Sequence, residues 1–241
     1  MNVITADWPA PSHVHAAVTT RDGGVSDGPY ASLNLGTHVG DDATAVMENR
    51  RRVREFLQLP SEPTWLNQVH GTAIVEAGER ASPPTADASF ARAPGVICAV
   101  LTADCLPVIL CDRQGNQVAA AHAGWRGLAA GVLTSAVNSF PTSPDNLLAW
   151  LGPAIEPNAF EVGEEVRAAF LARDPAHETA FTPNARGRWH ADLYTLARRE
   201  LERLGTAVFG GGFACYADAD RFFSYRRDGR TGRMATMVWM T

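Results

Sequence analysis

Two histidines and a cysteine, each where an apolar run breaks, are the residues of this sequence best suited to chemistry. His70 lies in Asn67-Gln68-Val69-His70-Gly71 and Cys105 in Ala103-Asp104-Cys105-Leu106-Pro107. His122 lies in Ala120-Ala121-His122-Ala123-Gly124-Trp125-Arg126-Gly127. Together they would make a His₂Cys set, whose three protein ligands leave a fourth tetrahedral position for water or substrate, as in catalytic zinc sites. Zinc there would keep Cys105 as thiolate and draw the pKa of a coordinated water toward neutrality. The spacing equally admits a buried thiol beside hydrogen-bonded imidazoles, because cysteine is among the most buried residue types. Cys98 and Cys111 sit inside apolar runs and read as core packing, and Cys215, near a glycine-rich turn, as structural.

A cationic constellation accompanies this set. The segment from Phe222 to Arg233 carries four arginines and two glycines, has aromatic residues on one side and returns into an apolar strand. It suits an anion clamp with a stacking surface for a planar ring, and it also suits a solvated hairpin turn. Arg21 and Arg126, beside glycines that permit close approach, are similar candidates. All 21 basic residues are arginine. Without lysine the chain has no Schiff-base amine, no pyridoxal-phosphate anchor and no P-loop cation, whereas arginine still pairs bidentately with phosphate or carboxylate. A net charge of −5 speaks against a dedicated nucleic-acid binder, and the local run Arg50, Arg51, Arg52 and Arg54 is expected to be a solvated helix face.

The elements that must position these groups follow from hydrophobic patterning. The 241 residues, 46% of them hydrophobic, suit one domain spanning 1–241 with a sizeable core. Strands are expected at 13–20, 64–70, 72–77, 95–101, 106–111, 117–122, 147–151, 208–209 and 236–240. Helices are expected at 42–57 with Asp42 as cap, at 125–140, at 162–172, and along the stripe Leu193, Leu196, Ala197, Leu201, Leu204 ended by Gly205. Proline-containing stretches at 60–63, 81–84 and 141–144 read as loops. Strands and helices intersperse without a βαβ rhythm, so a layered α/β or α+β sandwich is expected and not a dinucleotide-binding fold. The first residues show no basic start and no apolar core of a signal peptide. The longest apolar region is interrupted by Thr102, Asp104 and Pro107. A cytoplasmic protein with reduced thiols and no membrane partner is therefore expected.

Seven motifs in order resemble the YfiH-type laccase-domain family, also called the polyphenol oxidase or purine nucleoside phosphorylase YfiH family. They are T-T-R-D-G-G-V-S (19–26), S-L-N-L-G (32–36), N-Q-V-H-G (67–71), T-A-D-C-L-P-V (102–108), A-A-H-A-G-W-R-G (120–127), L-G-P-A-I (151–155) with F-E-V-G (160–163), and F-F-S-Y-R-R-D-G (222–229). The resemblance implies an α-β-β-α sandwich, related in fold to bacterial toxin deamidases of the cytotoxic necrotizing factor type. It implies that His70, Cys105 and His122 bind zinc, with copper as the alternative. It implies phosphorolysis of adenosine, inosine, guanosine and S-methyl-5′-thioadenosine, with adenosine deamination as a side activity. Cys105, His122 and Arg226 would then be catalytic, with Arg226, alone or with Arg126 or Arg21, holding phosphate. Substrate contacts would fall to Arg21, Asn34, Gln68, Arg126 and Arg227, and Asp104 or Glu161 would move the proton. Glu156-Pro157-Asn158 stands where many relatives carry a cysteine, so no accessory thiol is expected there.

The multicopper oxidase label fits poorly, since it needs several His-x-His pairs and the seven histidines supply one, His13-Val14-His15. A cysteine amidohydrolase acting on peptidoglycan precursors, with Cys105 as nucleophile and His122 as base, is the competing enzyme class. A non-catalytic module would need a fourth ligand to close a structural zinc site.

Overall fold

The computed structural model describes residues 1–241, and its layers follow from the alternation of apolar side chains along two sheets. The first sheet is antiparallel throughout, in the order Val3–Thr5, Val14–Thr19, Met234–Met240, Cys98–Thr102. The second is mixed and six-stranded: Ala207–Gly210, Leu147–Leu151, Leu106–Asp112, Val118–Ala123, Ala88–Ala91, Ile74–Glu76. Its end pairs are parallel and its central pairs antiparallel.

Side chains on successive residues point to opposite faces of a strand, and three apolar layers result. Val18, Val100 and Val238 of the first sheet meet Ile109, Val118 and Trp150 of the second, so the sheets pack face to face. On the outer side of the second sheet, Val108, Leu110 and Ala149 meet Leu133 of helix Val132–Asn138, Phe170 of Glu164–Leu171 and Leu196 of Leu193–Leu204. Beyond the first sheet, Leu101, Met237 and Trp239 cover Val53 of helix Ala43–Phe56 together with Leu33 and Leu35. The result is the expected α-β-β-α sandwich. A third, small sheet joins Phe181–Pro183, Trp189–Ala191 and Glu161–Val162 at one end.

Three sequence expectations change. The helix expected over 125–140 breaks at Gly131 (φ +103°) into Trp125–Ala130 and Val132–Asn138. A Cβ at Gly131 would lie 2.8 Å from Arg173 Nη1, a contact that no local pattern encodes. The stretch 64–70 forms only isolated bridges at Thr64 and Asn67, because the amides of residues 69–71 turn toward a side chain and not toward a neighbouring strand. Within the arginine run, Arg50 turns inward, donating to the Leu35 carbonyl at 3.1 and 2.8 Å and lying 4.0 Å over the Trp65 ring. Burial lowers its pKa to about 10. Arg51 and Arg52 pair with Glu48 on the solvent side, as a solvated face requires.

Candidate metal centre and its cleft

The chain crosses from one sheet to the other through Ala103-Asp104-Cys105, between strands Cys98–Thr102 and Leu106–Asp112. That crossover lifts Cys105 out of the continuous apolar runs on either side, with Asp104 held at φ +93°. His122 projects near the end of Val118–Ala123, just before Gly124 caps the helix Trp125–Ala130. His70 stands on the tight turn after Asn67, itself at φ +60°, a conformation uncommon for a residue with a Cβ. The three side chains offer one donor atom each, all within 4.8 Å of one another. Cys105 Sγ is 3.8 Å from His70 Nε2, and the two imidazoles meet edge to face at 4.8 Å.

Glycine makes this convergence possible. A Cβ at Gly124 would lie 2.7 Å from His70 Cδ2 and 3.0 Å from Cys105 Sγ. One at Gly127 would lie 2.8 Å from the Gly71 carbonyl, so the helix rests directly on the His70 turn.

The donor set fits a metal. At Zn–S of about 2.3 Å and Zn–N of about 2.0 Å, tetrahedral geometry separates donors by roughly 3.5 Å, close to the sulfur–nitrogen separation observed. No fourth His, Cys, Asp or Glu belongs to the group, so a position stays open toward the cleft.

Electrostatics favour a thiolate. Burial opposes ionisation of Cys105, but His122, first by its charge and then by a hydrogen bond, and His70 outweigh it and lower the thiol's pKa. His122 moves the other way: burial would lower it, and Cys105 and Asp87 raise it. The fully buried Asp87 carboxylate is likewise opposed by burial, yet hydrogen bonds from His122 and the Gly71 and Val69 amides hold it below its ordinary pKa. Cys98 and Cys111 are driven by burial up to about 12, as packing residues should be.

A cleft of about 530 Å³ opens over the three donors. Arg126, Arg226 and Arg233 surround it, with Trp125, Phe160 and Tyr225 as aromatic walls and His38, Gln68 and Asp104 completing the lining. Arg126 lies 4.4 Å over Trp125 and makes no hydrogen bond to protein, leaving its guanidinium available. Arg226 donates from Nη1 to the carbonyls of Ala159 (3.3 Å) and Glu161 (3.0 Å), while its backbone N–H donates to Asp104 Oδ2 at 2.6 Å. Asp104 Oδ1 is buried without a partner, and burial raises the carboxyl's pKa against the opposing hydrogen bonds and arginine charges.

Other expected contacts lie elsewhere. Arg21 donates to the carbonyls of Ala31 and Ala219 and stacks on Phe223, outside the cleft lining. Asn34 is fully buried, its amide spent on Gly36, Asp41 and the Arg233 N–H. Arg227 ties together the carbonyls of Cys215, Tyr216 and Phe222. These three hold loops and are not among the residues that line the cleft. Gln68 lines the cleft, yet both ends of its amide pair with the Leu101 backbone. Glu161 is engaged by Asn184 at 2.7 Å and Arg186 at 2.6 Å, and lines a separate cavity beside Arg226. His38, Asp87 and Arg233 were not singled out by sequence reasoning. Arg233 lay within a segment already read as cationic, and Thr85-Ala86-Asp87 gave no signal of its own.

A family model described as multi-copper polyphenol oxidoreductase laccase matches residues 15–241. The chain belongs to that family. YfiH-family relatives include a purine nucleoside phosphorylase of Pseudomonas aeruginosa, 57% identical over 98% of both chains. Purine nucleoside phosphorylase YfiH of Escherichia coli is 52% identical over 99% of this chain and 98% of its own. Among solved structures, a Neisseria meningitidis protein of the family superposes with a TM-score of 0.96 at 52% identity, covering 100% of this chain and 99% of that one. YlmD from Geobacillus stearothermophilus gives 0.90 at 32% identity, over 95% and 92%. No helix of this YfiH-family chain is long and apolar enough to cross a membrane.

Proposed function

We propose that the chain is a metal-dependent purine nucleoside phosphorylase acting on adenosine, inosine, guanosine and S-methyl-5′-thioadenosine, with adenosine deamination as a side activity. The observation that carries this reading is the cleft itself, which sets three guanidinium-bearing side chains and three aromatic side chains around a His₂Cys donor set. The purine nucleoside phosphorylase names of its relatives support the same class. In phosphorolysis a phosphate oxygen bonds to C1′ of the ribose as the C1′–N9 bond breaks. The bond's electron pair leaves with the purine, which then takes a proton. Arg226 and Arg126 supply cationic donors for phosphate. Trp125 and Tyr225 offer faces for the purine ring. Asp104, which lines the cleft where Glu161 does not, is the carboxyl we assign to exchange the proton. His70, Cys105 and His122 would hold zinc, or copper in its place, which when bound supplies Lewis-acid polarisation of a substrate atom. Chromatography of inosine with and without phosphate tests the reading. Hypoxanthine should appear only with phosphate and be lost in Cys105→Ala. Arg226→Ala should lower kcat/KM by about 10²-fold with zinc retained; unchanged phosphorolysis in that variant would sink the phosphate assignment.

A second reading has one specific observation behind it. Asp87, His122 and Cys105 line up as carboxylate, imidazole and low-pKa thiol, the logic of a cysteine nucleophile with an oriented base. A thiol amidohydrolase would release no free base from inosine, would survive chelation and would die on alkylation.

A further inference from the structure

Asp87 is fully buried, and its carboxylate accepts four hydrogen bonds from two places far apart in the chain. Oδ1 accepts from the His70 N–H at 2.8 Å and from His122 Nδ1 at 2.9 Å. Oδ2 accepts from the N–H groups of Val69 at 3.2 Å and Gly71 at 2.6 Å. The backbone repeats the link, since the His122 N–H donates to the Asp87 carbonyl at 2.7 Å. Three consecutive amides converging on one carboxylate form an anion-holding turn, and such a turn holds His70 in its left-handed conformation.

We infer that Asp87 is the positioning residue of the metal centre, setting both histidines at once: it pins the His70 turn through three amides and fixes the His122 proton on Nδ1. An ionised carboxylate can only accept, so Nδ1 must donate, and the Nε2 lone pair is left for the side facing Cys105 and the cleft. Partners of this kind orient a ligating imidazole, and removing one typically weakens metal binding 10–100-fold. The carboxylate has a more demanding task here, because the same group couples the orientation of one ligand to the backbone of another. Asparagine at this position offers one acceptor oxygen and one donor nitrogen. At the Oδ2 position a nitrogen would face two backbone donors, the Val69 and Gly71 amides, whereas at Oδ1 it would face only the His70 N–H, and the His122 ring there can reverse its role. Asp87→Asn should therefore place its NH₂ toward His122 and drive the ring to the Nε2–H tautomer, which cannot ligate on the cleft side.

The inference rests on the metal reading of the site, and the measurements separate the two. Zinc affinity is read by competition with a chromophoric chelator, and the His122 tautomer by long-range proton–nitrogen correlation at a pH above the ring's own titration. Expected are a 10–100-fold loss of zinc affinity in Asp87→Asn, a switch of the His122 proton from Nδ1 to Nε2, and faster amide exchange at residues 69–71. A variant that keeps wild-type affinity and the Nδ1 proton overturns the inference. A purely structural carboxylate would lower the melting temperature and leave the tautomer alone. Should Asp87→Asn fail to fold, the metal-free wild-type protein decides, and a His122 ring protonated on Nε2 but not on Nδ1 overturns the inference. Wild-type protein that binds no zinc but carries the Nδ1 proton would defeat the metal reading and leave the role of Asp87 standing.

Discussion

Gly124→Ala adds a single methyl group at the point where the three donor residues meet. The backbone there has φ −64° and ψ 155°, open to any residue, so no conformational strain accompanies the change. The effect is steric. The new Cβ would lie 2.7 Å from His70 Cδ2 and 3.0 Å from Cys105 Sγ, whereas carbon contacts are comfortable at about 3.5–4.0 Å. The His70 ring must therefore retreat by about 1 Å, and metal–ligand distances tolerate only about 0.2 Å. A misplacement of that size costs on the order of 10²-fold where geometry is tight, and overpacking typically costs about 1–3 kcal/mol of stability. Gly124→Ala should thus remain folded with a slightly lowered melting temperature, bind zinc about 10²-fold more weakly, and lose phosphorolysis in proportion at limiting zinc. Chelator competition and thermal melting measure both quantities on one sample. Wild-type zinc affinity in Gly124→Ala would refute the convergence of His70 and Cys105 on this glycine, and with it the donor geometry.

Two further outcomes are expected. In metal-free protein, alkylation should select Cys105: its thiol pKa is lowered by His122, so the reactive thiolate is already present at neutral pH and is lost as pH falls through that lowered value. Cys98 and Cys111, pushed up to about 12, and Cys215, raised by burial, should stay silent until unfolding, which peptide mass mapping across pH checks; zinc should protect Cys105. Asn49→Ala should destabilise the fold by about 2 kcal/mol or more. This buried amide donates to Ser26 Oγ and the carbonyls of Ser32 and Asn34 and accepts from the Val25 N–H, and chemical denaturation reads the loss.

What could be read in advance was what local chemistry controls. Leu147–Leu151 appears at its expected bounds because a run buried on both faces is bounded by its own composition. Leu193–Leu204 is framed by Asp192, which accepts from the Tyr194 and Thr195 N–H groups, and by left-handed Gly205. The grouping of His70, Cys105 and His122 was likewise legible, from N-Q-V-H-G, T-A-D-C-L-P-V and A-A-H-A-G-W-R-G, three motifs that carry these residues at the edges of apolar runs. Asp87 was not, since its role exists only when residues 69–71 and 122 are brought around it. The arginines show the same boundary. In an irregular loop sequence cannot say which way a long side chain turns, and Arg227 turned into the protein while Arg233 reached the cleft.

The placement of Met234–Met240 has a consequence for how the protein comes into being. This strand lies between Val14–Thr19 and Cys98–Thr102, with Thr236 opposite both Val18 and Val100. A growing chain therefore emerges from the ribosome with all three donor residues, but without the strand that joins the two halves of its sheet. Pairings over such sequence separations are slow to form. Arg233, which lines the cleft, immediately precedes that strand in sequence. Until this strand is in place, a growing chain carries the thiol and imidazoles but lacks the segment that brings Arg233 to the cleft lining.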